Sequence, residues 1–140
     1  MAMTEAPRRL ELRTAPWGLI AALGAFALLR PVLSIVGAYA AGPLEKPTGP
    51  LLVTALTIVV WAATVLVRRT PRPVQVLALA GAAYGVFATA LNLALQPFLE
   101  GAELVPVHGA IAMTAFNAAQ GAVVGLIVLG IRRLRSGPGR

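Results

Sequence analysis

The sequence predicts an all-α integral membrane protein, a bundle of four transmembrane helices with both termini on the cytoplasmic side. Three observations carry that expectation. Apolar residues make up 58% of the 140 and charged residues only 12%, about half the share of roughly 25% found in soluble domains. Mean hydropathy is +0.80, and a soluble domain of this length has too little interior to hide so much apolar surface. Finally, the apolar residues gather into four stretches and the arginines gather between them.

The stretches run over 16–41, 50–67, 74–98 and 107–131. Each has about 18 to 26 residues, and roughly 20 cross a bilayer core at 1.5 Å per residue. The second is the shortest and needs the least tilt. The tails, 1–15 and 132–140, lack apolar periodicity and read as mobile ends of a single membrane domain. Thr70-Pro71-Arg72-Pro73 is a short, stiff link, so the second and third spans are expected to be antiparallel neighbours.

Orientation follows from the flanking cations. Arg8, Arg9 and Arg13 precede the first span, Arg68, Arg69 and Arg72 separate the second from the third, and Arg132, Arg133, Arg135 and Arg140 follow the fourth. The two remaining connections hold Lys46 alone, beside Glu45, Glu100 and Glu103. The arginine-rich side is the cytoplasmic one, which places the chain in the inner or plasma membrane. A cleavable signal peptide would take Trp17 to Leu29 as its apolar core and Ala38-Tyr39-Ala40 as its cleavage site. Arg30 interrupts the stretch that would precede such a cut, so an intact first span is the reading kept.

The halves resemble each other weakly. Ala27-Leu28-Leu29-Arg30-Pro31-Val32-Leu33 parallels Leu93-Ala94-Leu95-Gln96-Pro97-Phe98-Leu99, and Arg68-Arg69 parallels Arg132-Arg133. This pattern reads as two tandem helical hairpins in parallel orientation.

Arg30 lies inside the first apolar stretch with Pro31 directly after it. A guanidinium deep in a span costs about 2.5–3.5 kcal/mol on insertion scales, and proline removes one helix hydrogen bond. Eleven residues separate Arg30 from Ala41, which would bury it about 16 Å from the outer end of a continuous helix. Spacing of three and four aligns Arg30 with Ser34, Thr54 with Thr57, Trp61 and Thr64, Thr89 with Asn92 and Gln96, and Asn117 with Gln120. Lipid offers these groups no partner, so each stripe is expected to face the bundle interior. Gly81-x-x-x-Gly85 and Gly121-x-x-x-Gly125 mark close packing in the inner half of spans three and four.

Several classes of chemistry are excluded or disfavoured. Cysteine and aspartate are absent, and His108 is the only histidine. Thiolate metal sites, disulfides, a bis-histidine haem and a Ser/His/Asp arrangement therefore cannot be built, and no cofactor is indicated. The basic residues sit in short inter-span segments, which argues against nucleic acid. All five glutamates lie outside the apolar stretches, so proton-coupled cation antiport lacks its carboxylate. Three functions remain. One is binding or transport of an anionic or amphipathic molecule, a lipid or organic anion, in an outward cavity. Arg30 would anchor its charge, and Ser34, Asn92, Gln96, Asn117 and Gln120 would hydrogen-bond it. Another is a non-catalytic accessory subunit in which Arg30 pairs with Glu45, Glu100 or Glu103. The last is a membrane enzyme acting on a lipid or isoprenoid, with Glu100, Glu103 or His108 at the cavity mouth. Besides the bilayer, a homo-oligomer or a larger membrane complex fits the glycine pairs.

Overall fold

A computed structural model describes residues 15–98 and 105–138. The described residues are all-helical: α1 (Trp17–Ala27), α2 (Leu29–Ile35), α3 (Thr48–Val67), α4 (Pro73–Leu95) and α5 (Val107–Ser136), with a short 3-10 turn over Gln96–Phe98. Taken as one unit, α1 and α2 give four helices long and apolar enough to cross a membrane.

Proline and glycine set the boundaries. Pro31 has no N–H to offer the Ala27 carbonyl, and its ring crowds that carbonyl. The helix is interrupted there, at Leu28, whose N–H turns back to the Ala25 carbonyl instead. Helical structure then stops at Ile35 rather than continuing to Ala41, because Gly37 (φ +76°) and Gly42 (φ +87°) turn the chain back on itself. Arg30 accordingly stands five residues from the helix end, about 7.5 Å along the axis, instead of 16 Å. Pro73 opens α4 at a position where a missing N–H costs nothing. At the other extreme, α5 runs to Ser136, so residues 132–136 extend the helix rather than form a tail. Arg133 and Arg135 lie in its last turn, where cations complement the carbonyl end.

Helix α3 ends in a Schellman arrangement. Arg69 takes the left-handed conformation (φ +50°), its N–H donates to the Leu66 carbonyl at 3.2 Å, and the Thr70 N–H donates to the Val65 carbonyl at 3.1 Å. Arg132 completes this end from α5. Its two terminal nitrogens donate to the carbonyls of Thr70 and Val65, each at 2.7 Å.

The helices form a ring in the order α1, α4, α5, α3. Helices α4 and α5 pack most extensively, α1 lies on α4, and α3 lies on α5 with lighter contact to α1. This corrects one expectation. Helices α3 and α4, although joined by a five-residue link, stand diagonally across the ring and hardly touch.

Glycines explain the closest seam. A Cβ on Gly81 would strike the Asn117 carbonyl, and one on Gly121 would strike the Leu77 carbonyl. A Cβ on Gly85 would come within 2.6 Å of Thr114 Cα, and one on Gly125 would strike Val74 Cα. Gly24 brings α1 onto α4 in a looser way, its Cβ position lying 3.0 Å from Ala83 Cβ and 3.1 Å from the Tyr84 nitrogen. The core lies in the half of the bundle nearest the α3–α4 link and joins Leu23, Ala27, Trp61, Val65, Leu77, Ala80, Val124 and Val128. Large apolar side chains also cover the outside, among them Leu51, Leu56, Val59, Val86, Ile111, Phe116 and Ile127.

Candidate functional site

The half of the bundle opposite the core is not filled. After the break at Leu28, Arg30 on the first turn of α2 is exposed to a cavity of about 420 Å³. The returning segment after α2 forms the other rim. Its two left-handed glycines carry Tyr39 and Lys46 to the same cavity. Tyr39 is held down by the start of α3, where Gly49 leaves room for its ring: a Cβ there would come within 2.6 Å of Tyr39 Cδ1. From α4, Tyr84, Thr89 and Asn92 supply the third wall, and Met113 of α5 lies at the back.

A deeper pocket of about 30 Å³, no larger than a water-sized space, continues inward from Arg30 and Tyr84, which line both. Thr54, Thr57 and Trp61 of α3 and Asn117 and Gln120 of α5 complete it. Of the residues singled out from sequence, Arg30, Ser34 and Asn92 thus share the outer cavity, while Asn117 and Gln120 share the inner pocket with Arg30. Gln96 lines neither. It starts the 3-10 turn after α4, four residues and about 6 Å beyond Asn92. Glu45 is exposed and lines neither space, and His108 is exposed at the start of α5. Glu100 and Glu103 lie outside the described residues.

Polar groups at the site satisfy themselves mostly within their own helices. Thr54, Thr57 and Thr89 donate to the carbonyls four residues earlier at 2.8, 2.8 and 2.9 Å. The Asn117 amide donates to the Met113 carbonyl at 2.7 Å. Their hydroxyl and amide oxygens keep lone pairs for another donor. One bond crosses between helices here: the Trp61 indole N–H donates to the Leu23 carbonyl at 3.0 Å. Arg30 has no hydrogen bond or ion pair with another described residue, Glu45 included. Two further atoms, the Tyr39 hydroxyl and Asn92 Oδ1, are enclosed and unpartnered. Buried polar groups in proteins are almost always paired, and both of these belong to residues that line the cavity.

Sequence reasoning misses Tyr39 and Lys46, because no periodicity places a side chain within a turn. It takes Tyr84 only as packing, although a position four residues from Ala88 puts it on the cavity face of α4. The chemistry is one-sided. Among the described residues, two cations line the outer cavity and no carboxylate does, so this lining favours an anion, and Arg30 can present two parallel N–H groups to carboxylate or phosphate. No cluster of three His or Glu side chains able to hold a metal occurs among the described residues. Compared with protein-family models, curated proteins and solved structures, the chain matches none.

Proposed function

We propose that this chain is a four-span protein of the inner or plasma membrane, with both termini cytoplasmic, and that it binds or transports an anionic or amphipathic small molecule in a cavity opening to the outer side. Two features support the membrane reading. Apolar side chains coat the outside of all the long helices, a pattern that water penalises and acyl chains accept. The α3–α4 link and the end of α5, which Arg132 ties together, gather the described arginines other than Arg30 at one end of the bundle, while Lys46 stands with Arg30 toward the other.

The observation that carries the binding reading is Arg30 itself. It faces a cavity without a described partner, beside an enclosed Tyr39 hydroxyl and an enclosed Asn92 oxygen. An arginine kept only for architecture would be neutralised or hydrogen-bonded, since an uncompensated charge in an apolar setting is strongly destabilising. Thermal unfolding in detergent, with and without added dodecanoate or phosphatidylglycerol, tests this. Arg30→Ala is expected to keep the unliganded midpoint within a few degrees and to lose the ligand-induced rise, with Arg30→Lys intermediate. Collapse of Arg30→Ala whether or not ligand is present would transfer the residue to a structural role.

A second reading, an accessory subunit in a homo-oligomer or larger membrane complex, is favoured by a separate feature. An apolar groove of about 790 Å³ runs along the outer face of α4 and α5, lined by Val86, Leu93, Val107 and Ile111 among others. Native mass spectrometry from nanodiscs would show a discrete oligomer if that groove is a contact between copies.

A further inference from the structure

A second concave site lies at the opposite end of the molecule, where α3 and α5 terminate side by side. Arg69, Arg132, Arg135 and Ser136 line a pocket of about 380 Å³ floored by Leu66. Among the described residues no carboxylate lines it, and Glu45, the one glutamate among them, precedes the far end of α3. Three guanidinium groups around one hollow repel each other unless an anion sits among them.

Two details separate this pocket from an ordinary cationic fringe. Arg132 is already fixed, with one terminal nitrogen on the Thr70 carbonyl and the other on the Val65 carbonyl. Its charge is thereby held in place without being neutralised. Arg69, in turn, occupies the left-handed position of the Schellman arrangement (φ +50°), a place that glycine takes at far lower cost. The neighbouring Arg68 and Arg133, exposed like Arg69 and Arg135, do not line the pocket.

The geometry points to a phosphate-binding site at the joined ends of α3 and α5, in which Arg69 and Arg135 grip the phosphate oxygens and Arg132, whose backbone carbonyl accepts the Ser136 hydroxyl at 2.9 Å, supplies a fixed positive charge. Phosphate suits this arrangement because its oxygens accept several charge-assisted hydrogen bonds at once. Both a phospholipid headgroup and free phosphate carry the same chemistry, and a basic pocket between helix ends on the cytoplasmic side of a membrane protein is a known setting for anionic headgroups.

The test compares two double variants that lose the same charge, Arg69→Gln with Arg135→Gln and Arg68→Gln with Arg133→Gln, in the full chain in detergent. The probes are dihexanoyl phosphatidate and inorganic pyrophosphate, read as a shift in melting temperature. Wild type and the Arg68/Arg133 pair are expected to show a rise of several degrees with at least one probe, and the Arg69/Arg135 pair to show none. A response to phosphatidate alone assigns the site to a lipid headgroup, and an equal response to pyrophosphate assigns it to free phosphate. Equal loss in both pairs, or no response in wild type, overturns the proposal. Arg69→Gly gives an independent check, since it should raise the unliganded melting temperature while cutting the phosphate response. Arg30→Ala should leave that response unchanged, so failure at one site is distinguishable from failure at the other.

Discussion

The indole of Trp61 is 4% exposed and its N–H reaches across to the Leu23 carbonyl of α1. Among the described residues it is the one side-chain bond near the site that joins two helices, and α1 and α3 otherwise touch lightly. Trp61→Phe retains an apolar ring and deletes that donor. The expected cost is about 0.5–1.5 kcal/mol, readable as a lowered midpoint in detergent unfolding. The sequence placed Trp61 on the polar face of its helix but could not show which polar residue would bridge. Helical spacing turns the threonine and asparagine stripes toward the bundle interior, yet Thr54, Thr57, Thr64 and Asn117 bond back onto carbonyls of their own helices. A local acceptor four residues away is always in reach, and it outcompetes a distant one. Arg132 shows the reverse case. It read as a topology marker, and in the fold it caps another helix.

At the scale of elements, glycine spacing was the most legible signal after hydrophobicity. The two G-x-x-x-G patterns lie on α4 and α5 and face each other in antiparallel register, Gly81 on Asn117 and Gly121 on Leu77. Gly81→Ala or Gly121→Ala drives a methyl into backbone that cannot step aside, and each should lower stability by about 1–3 kcal/mol or more. At Gly18 and Gly130 an added Cβ would meet nothing within 4 Å, so Gly18→Ala and Gly130→Ala should be neutral or raise stability by up to about 1 kcal/mol. Measuring all four in one detergent checks the contrast directly. Gly24 and Gly49 also sit at close approaches, but isolated glycines carry no periodic mark and were not readable. The first apolar stretch was overextended for a similar reason. Hydropathy stays high through Ala41, whereas the backbone follows Pro31, Gly37 and Gly42.

For the whole molecule, four long apolar helices were evident from the chain, and their order around the ring was not. Link length suggested that α3 would lie beside α4, but the glycine seam claims the inner face of α4 for α5, and Gly24 claims the adjoining face for α1. In the bilayer setting proposed above, side-chain volume rather than connection length decides neighbours, because lipid gives no hydrophobic preference for one pairing over another. Orientation is testable at this scale. Single cysteines at positions 69 and 138 should be blocked by a membrane-impermeant thiol reagent only after the cells are opened, and one at position 46 should react in intact cells. Labelling of position 69 from outside would reverse the proposed topology.

Arg132 also has a bearing on how the chain is built. The carbonyl that it caps on Thr70 lies 62 residues earlier in the chain. During synthesis, α3 is made long before the residue that closes its end, and α4 must be made in between. The Schellman turn can close by itself, but the Thr70 carbonyl waits for Arg132 until nearly the whole of α5 has emerged, so the last turns of the final helix fasten onto an early segment. Truncation just before Arg132 would leave every long helix and the core contacts of Trp61 and Val65 in place, and is expected to lower the melting temperature in detergent through loss of the Thr70 and Val65 bonds.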